Sequence, residues 1–162
     1  MPPVISIVGA SEVGKTTLIE KLIPELKRRG YRIGVVKHAH HGFHVDRQGK
    51  DSWRHKAAGA DTVLVASPGK IAMIKDVSSE GLEGLEQFFQ DMNLVITEGY
   101  KKADKPKIEV LRQGVNIRPV CREDDLLYAV VSDVEIDIGV PQFGFSEVEK
   151  IVDFIEKKFL GS

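Results

Sequence analysis

Apolar positions follow two different periods along this chain. Val4–Val8 is a nearly unbroken apolar run that stops at Gly9, the pattern of a strand buried on both faces of a parallel sheet. Lys15–Arg29 instead carries Leu18, Ile19, Leu22, Ile23 and Leu26 on one helical stripe. Lys27, Arg28 and Arg29 in its last turn suit the helix dipole, and Gly30 ends it. Pro24 lies inside that helix, removes one backbone hydrogen bond and predicts a kink. Arg32–His38 predicts a second strand, residues 40–50 a polar loop, and Asp51–Ala58 a short helix closed by Gly59. Thr62–Ala66 and Ile71–Ile74 flank Ser67-Pro68-Gly69-Lys70, which predicts a hairpin. Leu82–Asp91 predicts an amphipathic helix, followed by strands at Leu94–Thr97, Lys107–Leu111 and Tyr128–Val131. A last helix starts at Ser146, with Glu149 completing a capping box and a stripe of Val148, Ile151, Val152, Ile155 and Phe159. Strands alternating with helices predict an α/β fold: a mostly parallel sheet with an antiparallel hairpin.

Composition narrows the picture. The 162 residues suffice for one domain with its own core, so residues 1–162 are read as a single domain. With 23 Lys and Arg against 24 Asp and Glu, the net charge is -1, which argues against a nucleic-acid partner and makes any anion site local. A lone cysteine, Cys121, excludes an intrachain disulfide and a multi-cysteine zinc site. Apolar runs such as Leu94-Val95-Ile96 are too short to span a bilayer, so no membrane partner is expected. Met1-Pro2-Pro3-Val4-Ile5 has no basic n-region or cleavage site, so a cytoplasmic location is expected.

The strongest chemical signal is Gly9-Ala10-Ser11-Glu12-Val13-Gly14-Lys15-Thr16, followed by Thr17, between the first strand and the first helix. It matches G-x-x-x-x-G-K-[ST] at every fixed position, in the context that motif requires. Glycines let backbone N–H groups converge on phosphate oxygens, and the helix N-terminus adds its unpaired donors. Lys15 is placed to reach the β- and γ-phosphates, and the Thr16 hydroxyl to ligate Mg²⁺. The phosphate loop makes the expected fold a P-loop NTPase-like three-layer one. Such a site also needs a carboxylate at a neighbouring strand end. Glu98, after Leu94-Val95-Ile96-Thr97 and before Gly99, fills that role, as metal contact or water-positioning group. Asp46 is a further metal candidate.

Four of the five histidines fall in Lys37-His38-Ala39-His40-His41-Gly42-Phe43-His44, and Gly49-Lys50-Asp51-Ser52 and Arg54 follow. A structural metal, a substrate or phosphate contact and a solvated loop all remain open for this stretch. His38, His40, Lys50 and Arg54 are the candidate substrate donors. The guanine signature N-K-x-D is absent. Asp133, ending the apolar run Ala129-Val130-Val131-Ser132, is the best substitute reader of the base; capping of a turn is the alternative.

Taken together, Gly9–Thr17, Val36-Lys37-His38 with His40-His41, Asp46, Gly49-Lys50-Asp51-Ser52 with Arg54, Ala58-Gly59-Ala60, Thr97-Glu98-Gly99-Tyr100-Lys101 and Pro106-Lys107-Ile108-Glu109-Val110 resemble the molybdopterin-guanine dinucleotide biosynthesis protein B (MobB) family. They run in family order over nearly the whole chain. One departure is Gln48, where the family commonly has Pro before Gly-Lys-Asp-Ser. The resemblance implies a GTP-binding accessory protein that assists formation of molybdopterin guanine dinucleotide. It implies a molybdopterin-type small molecule and the molybdenum cofactor guanylyltransferase as partners, weak GTP hydrolysis, a mixed sheet and homodimers. Two other functions use the same loop: a small-molecule kinase, and a GTP-dependent metal-delivery protein suggested by the histidines.

Overall fold

The computed structural model describes residues 2–39, 42–43, 45–77, 81–82 and 84–161. The chain divides into two compact units, residues 1–38 with 81–162, and residues 39–80.

The first unit is built on a six-stranded sheet. Its strands are β1 (Val4–Val8), β2 (Ile33–Lys37), β5 (Leu94–Glu98), β6 (Lys107–Leu111), β7 (Leu127–Ser132) and β8 (Gln142–Phe143), in the order β2-β5-β1-β6-β7-β8. Every neighbouring pair is parallel. All six C-terminal ends therefore meet at one edge, where open α/β sheets place their ligands. The central strands alternate between two buried faces. Ile5, Ile7, Leu94, Ile96, Ile108, Val110, Ala129 and Val131 pack beneath helix α1 (Lys15–Arg28) and helix α3 (Val148–Ile155). The opposite face packs Val8 with Cys121 and Leu127.

That second face also buries polar groups, each with a partner. Thr97 Oγ1 donates to Ser6 Oγ at 2.8 Å across paired strands. Lys107 Nζ donates to the Ala103 and Lys105 carbonyls and pairs with Asp124 at 3.0 Å. Glu109, fully buried, accepts the backbone N–H groups of Val120 and Cys121 at 2.7 and 3.1 Å. Burial pushes the Glu109 carboxyl above its ordinary range, against the pull of those two donors. The Cys121 thiol is pushed up to about 11, chiefly by burial, which makes it an inert core group.

α1 ends as its sequence predicts. Tyr31 N–H donates to the Leu26 carbonyl and Gly30 N–H to the Lys27 carbonyl, a Schellman closure, with Gly30 at φ +92°. The helix continues as one element through Pro24, on its exposed side. Arg29 then clasps α1 to the C-terminal helix. It donates to Glu25 at 2.7 Å, Asp153 at 2.6 Å and Glu156 at 2.5 Å.

Two expected helix features are corrected. Leu82–Asp91 is not an amphipathic α-helix; only a 3₁₀ turn forms, over Glu86–Phe89. Gly84 at φ +87° breaks α-helical geometry, and the bonds that form are i to i+3, such as Phe88 N–H to the Leu85 carbonyl. The apolar residues still pack: the Phe89 ring occupies the space beside Gly34 that a Cβ would take. The last helix does not start at Ser146 with a capping box. Its N-cap is Glu147, whose carboxylate accepts Gly144 N–H at 2.8 Å and pairs with Lys150 at 2.5 Å. α3 runs on into a π-helical turn, Glu156–Leu160, and the stripe lands as expected: Ile151, Val152 and Ile155 are buried.

The second unit holds helix α2 (Asp51–Ala57) and the antiparallel hairpin β3 (Thr62–Ser67) and β4 (Lys70–Lys75), joined by Pro68-Gly69. Lys56 ties them together, donating to the Ala60 carbonyl at 2.9 Å and pairing with Asp76 at 2.5 Å. Val63 is buried, whereas Leu64, Val65 and Ile71 are exposed. Among the described residues, no helix is long and apolar enough to cross a membrane.

Candidate functional site

The residues at the C-terminal edge of the sheet follow from strand order. β1 runs into Gly9 and the loop that precedes α1, and its neighbour β5 ends at Glu98. The next strand outward, β2, places Lys37 directly opposite Glu98 in register. Thr16, in the first turn of α1, donates its hydroxyl to Glu98 Oε1 at 2.8 Å, and Lys37 Nζ lies 3.5 Å from the same oxygen. The sequence pair Thr16 and Glu98, 82 positions apart, is thereby one polar unit.

Lys15 folds back over its own loop, donating to the Gly9 carbonyl at 3.2 Å and the Ala10 carbonyl at 2.6 Å. Burial lowers its pKa, with Glu98 opposing that shift and Lys37 adding to it. Gly9 has no substitute here. Its φ is +139°, and an added Cβ would stand 2.4 Å from the Val110 carbonyl oxygen of β6. The other fixed glycine, Gly14, faces a side chain: a Cβ there would stand 3.0 Å from Arg112 Nη2.

Among the described residues, the two non-glycine positions with positive φ are Glu12 at 63° and Tyr100 at 56°. One lies in the loop and the other two residues after Glu98. Backbone conformations of this kind concentrate at ligand sites, where surrounding structure holds them. The chain turns at Gly99, whose N–H donates to the Ile7 carbonyl, while His38 N–H donates to the Glu98 carbonyl at 3.0 Å. Tyr100 then stacks on the His38 ring with centroids 4.6 Å apart.

The family model for molybdopterin guanine dinucleotide synthesis protein B (MobB) matches residues 4–133. The chain belongs to the MobB family. It is 39% identical to the molybdopterin-guanine dinucleotide biosynthesis adapter protein of Haemophilus influenzae, over 95% of this chain and 88% of that protein. It is 36% identical to the adapter protein of Escherichia coli, over 96% of this chain and 92% of the relative. A crystal structure of a molybdopterin-guanine biosynthesis protein B superposes with a TM-score of 0.76 at 39% identity, covering 95% of this chain and 97% of that one. Bacillus subtilis MobB superposes with a TM-score of 0.77 at 26% identity, covering 99% of both chains. The expected α/β architecture, mostly parallel with an antiparallel hairpin, is the MobB fold.

Within this MobB chain, Gly9 to Thr17, Glu98 and His38 gather at the sheet edge of the first unit. Asp133 lies at the same edge, just beyond β7; its Oδ1 accepts Gln113 N–H at 2.8 Å, tethering the ends of β6 and β7. Asp46, Lys50 and Arg54 belong to the second unit. Asp46 Oδ1 accepts Arg47 N–H, and its Oδ2 is buried without a hydrogen-bond partner among the described residues. Asp46 and Lys50 line one groove with Arg47, Ser52 and His55, whereas Arg54 leans toward Asp51 at 3.8 Å. His40, His41 and His44 lie outside the described residues, among which no three His, Cys, Asp or Glu gather as a metal cage. Residue-by-residue reading passed over two cations of this site, Lys37 and Arg112. Each sits at or just past the C-terminal end of an apolar strand, which is the signal that identifies them.

Proposed function

We propose that this chain binds GTP with Mg²⁺ at residues 9–17 and acts as an accessory protein in molybdopterin guanine dinucleotide biosynthesis. The carrying observation is the 2.8 Å hydrogen bond from Thr16 to Glu98, beside Lys15 in a complete phosphate-loop motif. Two relatives named as adapters in that biosynthesis, each covered nearly end to end, support the pathway.

The donor set fits the metal. A hydroxyl and a carboxylate are hard oxygen ligands, and Mg²⁺ favours these over nitrogen or sulfur. Thr16 would hold the ion directly and Glu98 directly or through water; the metal supplies neutralisation of charge on the phosphate oxygens. Lys15 exchanges the Gly9 and Ala10 carbonyls for phosphate oxygens, and the phosphate charge offsets the burial that lowers its pKa. Hydrolysis is weak on this reading, and the chain serves the guanylyltransferase rather than transferring the nucleotide itself. It does so as a homodimer in the cytoplasm.

The same reading gives the second unit the molybdopterin-type partner, with His40, Lys50 and Arg54 as donors to its phosphate. The groove lined by Lys50, Arg47 and His55, with Asp46 and Asp51 also on its wall, supports Lys50 in that role; Arg54 lies outside it. Joint substitution of His40 and Lys50 then weakens pterin binding and leaves GTP binding within a few-fold; equal loss of both ligands refutes that assignment.

Isothermal titration of the wild type and Lys15→Ala with GTP tests the central proposal. Loss of one charge-assisted contact weakens binding about 10- to 100-fold. Unchanged affinity in a folded Lys15→Ala protein refutes a phosphate role for the loop.

A further inference from the structure

Arg112 is the first residue after β6, and β6 pairs in parallel with β1, so its side chain emerges beside the phosphate loop. Its Nη2 lies 3.0 Å from where a Cβ on Gly14 would stand, immediately before Lys15. The guanidinium is stacked over the Phe145 ring, 4.5 Å from the centroid. Its Nε is buried and has no hydrogen-bond partner among the described residues, and no carboxylate there pairs with it.

This is unlike the treatment of Arg29. That residue, also partly covered, is met by Glu25, Asp153 and Glu156. Arg112 is only partly covered, but its buried Nε is a donor taken from water with no acceptor, which is unfavourable. The Phe145 stack offsets part of that cost through the ring face and leaves the in-plane N–H edge available. The backbone is held as well. Arg112 N–H donates to the Asn116 carbonyl at 2.8 Å, and the next residue, Gln113, is tied to Asp133. A charged group on a pinned backbone, stacked and aimed at a loop built for anions, lacks only the anion.

We propose that Arg112 is a phosphate-contacting residue of the nucleotide site, a second cation beside Lys15 that grips the phosphate chain through its N–H edge. The proposal rests on the nucleotide reading of residues 9–17 and adds a residue to it. Planar guanidinium N–H pairs match phosphate oxygens in a forked geometry that an ammonium cannot reproduce.

The test titrates wild type, Arg112→Gln, Arg112→Lys and Lys15→Ala with GTP and with inorganic tripolyphosphate, and records the melting temperature of each free protein. Gln keeps the first part of the aliphatic stem and removes the guanidinium, and with it the charge, the N–H fork and the stack over Phe145. Arg112→Gln is expected to weaken both ligands about tenfold or more. Arg112→Lys recovers part of the loss, and the free proteins melt within a few degrees of wild type. A loss seen with GTP but not with tripolyphosphate overturns the proposal in favour of a base contact. Wild-type affinity for both ligands in Arg112→Gln overturns it outright, while a simultaneous loss in Lys15→Ala leaves the nucleotide reading standing. Unchanged binding in Lys15→Ala as well overturns both.

Discussion

Gly9→Ala is the sharpest test of how the sheet builds the loop. Two costs coincide at this position. The φ of +139° lies in territory that favours glycine, and the new Cβ would stand 2.4 Å from the Val110 carbonyl oxygen. That oxygen belongs to the backbone of a central strand buried on both sides, so it cannot swing away as a side chain would. Holding a residue in a disfavoured backbone region costs about 1–3 kcal/mol. An overpacked contact in a rigid core costs about 1–3 kcal/mol more. Gly30→Ala separates the two. Gly30 has φ +92° with nothing within 4 Å of an added Cβ, so only the conformational cost applies, about 1–2 kcal/mol. Both substitutions restrict the unfolded chain equally, and that contribution cancels in the comparison. At roughly 2–4 °C per kcal/mol for a chain of this size, Gly9→Ala should melt about 4–24 °C below wild type and Gly30→Ala about 2–8 °C below, so the steric cost appears as the gap between the two. Thermal unfolding followed by circular dichroism reads both. A Gly9→Ala protein that melts together with Gly30→Ala would show that β6 yields at Val110, and the steric argument for Gly9 would fail.

Thr16→Ala and Glu98→Gln each remove or weaken a hard oxygen, so both should reduce the Mg²⁺-dependent gain in GTP affinity more than metal-free affinity. Titrations with and without Mg²⁺ decide it, and an unaltered metal dependence in both would move the metal to other residues such as Asp46. Asp133→Asn should erode any preference for GTP over ATP, since a carboxylate can accept both guanine N1–H and the 2-amino group. Undiminished discrimination would leave Asp133 only its tether to Gln113. The clasp of α1 on α3 should respond to acid: Glu25 is held down to about 2 by hydrogen bonds from Arg28 and Arg29. A depressed carboxylate stabilises above its ordinary pKa of about 4.5, and that contribution is lost as pH falls toward 2. Melting temperature should therefore fall less steeply between pH 4.5 and 2 in Glu25→Gln than in wild type; parallel curves would remove Glu25 from the acid transition.

Elements stabilised by local pattern were legible in advance. Val4–Val8 reads as a buried strand because both faces are covered, and Leu18, Leu22 and Leu26 read as a helix because one face is. The exceptions have separate causes. Leu82, Leu85 and Phe89 are apolar at helical spacing, and Phe89 fills the space over Gly34, yet Gly84 prevents the α-helix that would ordinarily present them. β8 escaped notice because two residues carry no period, and its register on Val130 and Val131 is set by the neighbouring strand. At α3, Glu147 reaches back to Gly144 and forward to Lys150, a bridge that replaces the expected pairing of Ser146 with Glu149.

The site divides along the same line. Gly9 to Thr16 is contiguous, so its proposed phosphate chemistry rests on spacing, and Glu98 became a candidate because a phosphate loop requires an acid on an adjacent strand; the structure brings it to Thr16. Arg112 carries no motif, and Lys37 lies in a family stretch that assigns it no chemical role. They join the site only because β2 lies beside β5 and β6 beside β1, and strand order is not written in any local window. Parallel strands nevertheless constrain the answer before their order is known. When every strand of a sheet points the same way, the residues at their C-terminal ends share one edge whatever the permutation. Applied here, that rule collects Gly9, Lys37, Glu98, Arg112 and Asp133 from five apolar runs, and Gly144 joins them only through the two-residue β8. Two of these, Lys37 and Arg112, are cations to which the sequence analysis assigned no chemical role. The antiparallel hairpin lies beyond the rule, because its strand ends point in opposite directions. Asp46, Lys50 and Arg54 lie in the second unit, where no common edge gathers them, so the proposed pterin contacts of Lys50 and Arg54 stand on the family resemblance and on the groove that Lys50 lines, and the paired His40 and Lys50 substitution tests them.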